Sequence, residues 1–154
     1  MTRRLPTAAA ILLAISGPAL AGGVPQGPAA GAVKKWFTTD RSLNCYDRQG
    51  NDSGCRFDLS TNIVVKYAPS GDEAVAFATY INDPTGNAQQ FAVASFRKEG
   101  GGWRFGRNAD RVLGQEPSNV AFKDGKVEFD TATLRDSDPR CCPTGRKHWS
   151  VPLR

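Results

Sequence analysis

Histidine is almost missing from this chain: among 154 residues only His148 is one, set between Lys147 and Trp149. A multi-histidine metal site or a histidine-centred triad cannot be assembled from that supply. Neither G-x-S-x-G nor H-E-x-x-H occurs, so two common hydrolytic signatures are absent. There is no C-x-x-C and no βαβ pattern, which removes the usual frame of a thioredoxin-like centre. No unit of roughly 20 to 50 residues repeats. Excess charge of one sign is small: 20 Lys and Arg against 15 Asp and Glu give +5, and setting aside Arg3 and Arg4 lowers this to +3. Such a surplus does not call for nucleic acid. Beyond the first residues no apolar run is long enough to span a membrane.

What is present begins with an export signal. Arg3 and Arg4 form a positive n-region, Leu5 to Ile15 an apolar stretch broken by Pro6 and Thr7, and Ala19-Leu20-Ala21 an A-x-A cleavage site. Residues 1–21 are therefore expected to be a signal peptide cut near Ala21, leaving a periplasmic or secreted chain. Position 22 is Gly rather than Cys, so no lipid anchor is expected. The Gly/Ala/Pro-rich stretch 22–31 reads as a flexible linker. Residues 32–154 then form a single disulfide-stapled, β-rich domain with a modest core.

Val33, Trp36 and Phe37 recur at helical spacing, which predicts one short N-terminal helix between Ala29 and Phe37. Everything after it alternates. Ile63, Val65 and Tyr67 are followed by Val75, Phe77, Thr79 and Ile81, then by Phe91, Val93 and Ser95. Trp103 and Phe105, Val120 and Phe122, and Val127, Phe129 and Thr131 continue the period of two, and a last strand is expected over 148–153. Turn chemistry separates the runs at Asp83-Pro84-Thr85-Gly86-Asn87, Gly100-Gly101-Gly102 and Lys123-Asp124-Gly125. The expected fold class is mainly β, an antiparallel meander forming a curled sheet, a sandwich or a small barrel. Alternation makes Phe77, Phe91, Trp103, Phe105 and Phe129 core candidates. The triglycine opens a strand rather than a helix and lacks a Walker lysine, so it is no phosphate cradle.

Four cysteines, Cys45, Cys55, Cys141 and Cys142, make an even set suited to disulfides in an exported protein, with three pairings open. Pro143 pushes Cys142 toward extended backbone, where neighbouring side chains point to opposite sides. That geometry favours crossed bonds tying the Cys45–Cys55 region to the Cys141-Cys142 pair. A local Cys45–Cys55 bond with a vicinal Cys141–Cys142 bond is the second arrangement, and metal-bound or free thiols the third. Zinc is a poor match, because C-x9-C with an adjacent pair lacks the usual ligand spacing.

The remaining candidates are polar. Asp136 and Asp138, two apart beside a turn, have the residue types of an acid/base pair, although turn formation is the commoner role. Asp47, Asn51, Asp52 and Asp58 loosely resemble a calcium loop without the EF-hand spacing. Arg97, Lys98, Arg104, Arg107 and Arg111 cluster around one hairpin with Trp103 interleaved, a combination that suits a carboxylated or phosphorylated glycan. The plainer account of those charges is a solvated hairpin edge protected from self-association.

The passage Val112-Leu113-Gly114, Val120 to Phe122, Lys123-Asp124-Gly125-Lys126-Val127 and Asp138-Pro139-Arg140-Cys141-Cys142-Pro143-Thr144-Gly145 resembles the C-terminal half of small exported bacterial proteins that include the LppP/LprE-type lipoproteins. Ser70-Gly71-Asp72-Glu73-Ala74-Val75 extends the likeness back to about residue 60. The resemblance implies an envelope protein and brings no catalytic residues; without a lipobox cysteine, its membrane anchoring does not carry over. The function expected is a non-enzymatic envelope module, binding or structural, with an unknown extracytoplasmic partner, no nucleic acid and no cofactor. The alternative is a redox or soft-metal-handling protein using Cys141 and Cys142. A small proteinaceous inhibitor fits size and compartment but has no residues to support it.

Overall fold

Alternating side chains set the register of the strands, with two-residue turns at two of the hairpins. The computed structural model describes residues 23–47, 49–52, 54–57, 61–85, 89–139 and 142–154. The expected signal peptide 1–21 lies outside them. Helix α1 (Ala30–Thr39) precedes strands β1 (Asn62–Tyr67), β2 (Glu73–Ile81), β3 (Gln89–Glu99) and β4 (Gly102–Asn108). Strands β5 (Gln115–Lys123), β6 (Lys126–Thr133) and β7 (Gly145–Pro152) follow. In sequence order, β1 to β4 form one antiparallel sheet and β5 to β7 a second. The β3–β4 and β5–β6 hairpins turn on Gly100-Gly101 and Asp124-Gly125, all four at positive φ, the backbone that a two-residue turn needs to match strand twist. The mainly β meander with one short helix is thus present as two packed sheets rather than a closed barrel.

The central strand β2 is buried on both faces, which creates three layers. Val75 and Phe77 point toward the second sheet and join Phe91, Val93, Val127, Phe129, Val151 and Leu153. Phe77 and Phe129 meet edge-on at 4.9 Å between ring centres. The other face carries Ala74, Ala76, Ala78 and Tyr80, and α1 lays Val33, Trp36 and Phe37 across it. Alanine there leaves room for the indole and phenyl rings of the helix. Each fully buried phenylalanine contributes about 1.5–3 kcal/mol to holding the layers together.

Two expectations need correction. The described part of 22–31 is packed rather than free: Pro25 and Ala29 are buried. The Ala29 amide donates to the Tyr67 hydroxyl at 3.0 Å, and that hydroxyl donates to the Gln26 carbonyl at 3.1 Å. Tyr67 thereby supplies an acceptor for the N-cap amide of α1, a helix with no side-chain cap. The second correction is Phe105, which is 43% exposed instead of in the core.

Candidate functional site

The exposure of Phe105 originates in one glycine. Ser95 pairs with Arg107 while the next residue, Phe96, pairs with Phe105, so Gly106 is an extra residue bulged out of β4. A side chain at Gly106 would place its Cβ 2.7 Å from the Ser95 hydroxyl oxygen, too close for any other residue without movement. The Ser95 hydroxyl is itself occupied, donating to the Leu153 carbonyl at 3.0 Å and accepting the Arg107 amide at 3.2 Å. The bulge reverses the facing of β4 beyond it. Arg107 stays on the side of the second sheet, whereas Phe105 and Trp103 turn toward α1. There Phe105 meets Phe96 at 6.0 Å and Trp103 meets Tyr67 at 5.6 Å.

Between β4 and the last turns of α1 opens a cavity of about 500 Å³. Ala32, Lys35, Trp36, Thr39 and Asp40 line one side, and Trp103, Arg104 and Phe105 the other. The Asp40 carboxylate is held from four directions. Its Oδ2 accepts the Trp36 indole N–H at 3.1 Å and the Asn108 amide at 2.7 Å. Its Oδ1 accepts the Ser42 backbone N–H at 2.9 Å and the Ser42 hydroxyl at 2.7 Å. Burial pushes the Asp40 pKa up, but the hydrogen bonds from Asn108, Ser42 and Trp36 outweigh it, leaving the group below its ordinary value. Asp40 is therefore a carboxylate near neutral pH, and no cation pairs with it among the described residues.

The six-residue patch read from the sequence divides. Trp103 and Arg104 line the cleft, but Arg104, set between two residues that face α1, turns its side chain to the opposite face. Arg97 stands opposite Arg104, and Glu99 lies between them, against the Arg97 Nε and 3.9 Å from the Arg104 Nε. Lys98 pairs in register with Trp103 and is exposed. Arg107 donates to the Arg154 carbonyl at 3.3 Å, and Arg111 lies in the turn after β4. Sequence reasoning missed Lys35, Trp36 and Asp40 as cleft residues. Nothing in a helical periodicity shows which strand the end of a helix will face.

The cysteines do not cross-link as the extended backbone at Pro143 led us to expect. Cys45 is bonded to Cys55, with their Cα atoms 4.9 Å apart. The reason is local: Tyr46 and Asp52 form an antiparallel bridge that folds the loop back on itself. Asp47 reinforces it by accepting the Gln49 and Asn51 amides and the Asn51 side chain. Those bonds, the Asn51 side chain foremost, lower the Asp47 pKa. Its oxygens thus already serve a turn; Asp58, the fourth residue of the calcium-like set, lies outside the described residues.

Cys142 is disulfide-bonded and exposed, and Cys141 lies outside the described residues. The turn that carries Cys142 is closed by Asp138. Its carboxylate accepts the Arg135 amide at 2.8 Å, the Thr144 amide at 2.7 Å and the Thr144 hydroxyl at 2.8 Å. The Thr144 and Arg135 amides hold its pKa below the ordinary aspartate value. Asp138 is thus a staple for the loop, and Asp136 is an exposed residue of the same turn. Beside this turn a second cavity, of about 420 Å³, opens between Leu113, Leu134, Pro143 and Lys147.

One pair was not foreseen. His148 lies across from Asp130 on β6 and β7, with its Nδ1 2.8 Å from the carboxylate, whose other oxygen accepts the Asn119 amide at 2.7 Å. Asn119 first, and then His148, hold Asp130 below its ordinary pKa. The histidine is exposed, and the pair forms a polar rung on the outer face of the second sheet. No candidate metal cluster occurs among the described residues, and none of their helices is long and apolar enough to cross a membrane. Compared with protein-family models, with curated proteins and with solved structures, the chain matches none.

Proposed function

We propose that this is an exported, non-enzymatic envelope protein that binds a carboxylated glycan in the cleft between α1 and β4. The observation that carries this reading is the cleft lining, where Trp103 and the half-exposed Phe105 stand beside the cation of Lys35. Aromatic faces take the apolar faces of sugar rings, and the ammonium group attracts a carboxylate. The cleft volume falls within the roughly 300–1,000 Å³ of small-molecule sites. The A-x-A cleavage site and the likeness of the D-P-x-C-C-P turn to LppP/LprE-type proteins support placement in the envelope.

Calorimetric titration with oligogalacturonate against a neutral oligosaccharide of the same length tests the reading. The acidic glycan is expected to bind, and Lys35→Gln to weaken it about tenfold, or ~1.4 kcal/mol. Arg111→Gln, in a turn outside the cleft, is the control and leaves the affinity unchanged. Equal heat from both glycans, or an unaffected Lys35→Gln protein, contradicts the proposal.

A second reading keeps the redox alternative. Favouring it, Cys142 is exposed and its bond is to neither Cys45 nor Cys55. Exposed disulfides exchange readily with thiolates. Under this reading graded dithiothreitol reduces the Cys142 bond before Cys45–Cys55, and Cys142→Ser abolishes the early step. Simultaneous reduction of all cysteines removes it.

A further inference from the structure

We propose that the ligand of the α1–β4 cleft carries an amine as well as a carboxylate, its ammonium group drawn to Asp40 and its carboxylate to Lys35. This inference rests on the proposed glycan-binding role of the same cleft and narrows its substrate to an amino-uronate or a comparable zwitterionic saccharide.

The charges of the lining are mixed rather than uniformly positive. Lys35 supplies the cation and Asp40 the anion. A purely anionic ligand would be attracted by the first and repelled by the second. Asp40 is also unusual in how it is held: each oxygen accepts two hydrogen bonds, all from the neutral donors Trp36, Asn108 and Ser42. Those bonds fix the carboxylate in place and occupy its lone pairs without cancelling its charge. No residue of the cleft needs to move to present that charge, so Asp40 acts on a ligand through its field rather than through a new hydrogen bond. The partly exposed ring of Trp103 provides the aromatic surface over which an ammonium group is further favoured.

The test varies the ligand and leaves the protein intact. Glucuronate, 2-amino-2-deoxyglucuronate and its N-acetyl derivative are titrated into the full chain, with tryptophan fluorescence as the readout. The free amine is expected to bind about tenfold more tightly than the other two, as a fixed charge a few ångströms away would give at a partly screened site. The gain shrinks as salt is raised, and it disappears in Asp40→Asn while binding of glucuronate persists. Equal binding of glucuronate and its amino derivative overturns this inference and leaves the glycan-binding role standing. Failure of all three to bind overturns both. Should Asp40→Asn fold poorly, the comparison of amine with N-acetyl derivative still decides.

Discussion

Gly106 looks dispensable in the sequence, an ordinary small residue between Phe105 and Arg107, yet it positions both neighbours. An added methyl group at Gly106 must displace the Ser95 side chain, whose hydroxyl oxygen lies 2.7 Å from the added atom, and presses on the Ser95 carbonyl at 3.2 Å. Gly106→Ala is expected to destabilise the fold by about 1–3 kcal/mol, seen as a lower urea midpoint with an unchanged slope. A midpoint equal to that of the parent protein would mean that the bulge relaxes without cost. Tyr80 offers a second check. Burial, and then the negative charge of Asp40, push its pKa up to about 12 from the usual 10.0. Folding thus favours the neutral phenol, so this contribution is full below pH 10 and is lost as pH rises toward 12. Alkaline absorbance titration should show a late tyrosine step that Tyr80→Phe removes. Residues of this kind were the least legible. Alternation placed Phe77, Phe91 and Phe129 in the core because each sits on an unbroken run. It placed Phe105 there as well, because a single bulged glycine changes the facing of a strand without changing its composition.

At the scale of elements, the strands and their hairpins were readable where polar and apolar residues alternate cleanly, as in β6, and where Asp124-Gly125 and Gly100-Gly101 mark the turns. The second buried face of β2 was not. Ala74, Ala76 and Ala78 carry a weak hydrophobic signal, and only the helix lying over them shows that this face is interior. The two cysteine-bearing loops differ in the same way between sequence and structure. Pro143 constrains only its own neighbourhood, while the Tyr46–Asp52 bridge and the bonds to Asp47 decide which cysteine Cys45 meets. Two predictions separate the loops. Replacing Cys45 and Cys55 together by serine should cost roughly 2–3 kcal/mol in chemical denaturation, as expected for closing a loop of this length. Replacing Asp138 by Ala should leave the denaturation midpoint nearly unchanged but bring faster amide exchange at residues 135–138 and 142–144. Because the Asp138 pKa is lowered on folding, its bonds hold above the ordinary value of 3.8 and weaken as pH falls below it. Amide exchange at Thr144 that is unchanged between pH 5 and pH 3, after correction for intrinsic rates, would contradict that assignment.

For the whole molecule, the layered arrangement explains why binding would fall at the helix-covered edge rather than on a broad sheet face. The inner face of each sheet is filled by the other, and the far face of the first sheet is filled by α1 up to the edge strand β4. At β4 the helix ends and the packing opens into the cleft. The outer face of the second sheet carries polar rungs such as Asp130–His148. Half of the candidate site was visible in the sequence, since Trp103 stands out as an aromatic among cations. The other half, Lys35, Trp36 and Asp40, comes from a helix more than sixty residues earlier, and only the packed fold brings it within reach. The most direct test is a heteronuclear NMR titration of the labelled protein with oligogalacturonate. The account predicts shift changes confined to the Trp103 indole N–H and the backbone amides of residues 32–40 and 103–105. Changes centred on the cysteine turn at 138–147 instead, or none at saturating glycan, would contradict it.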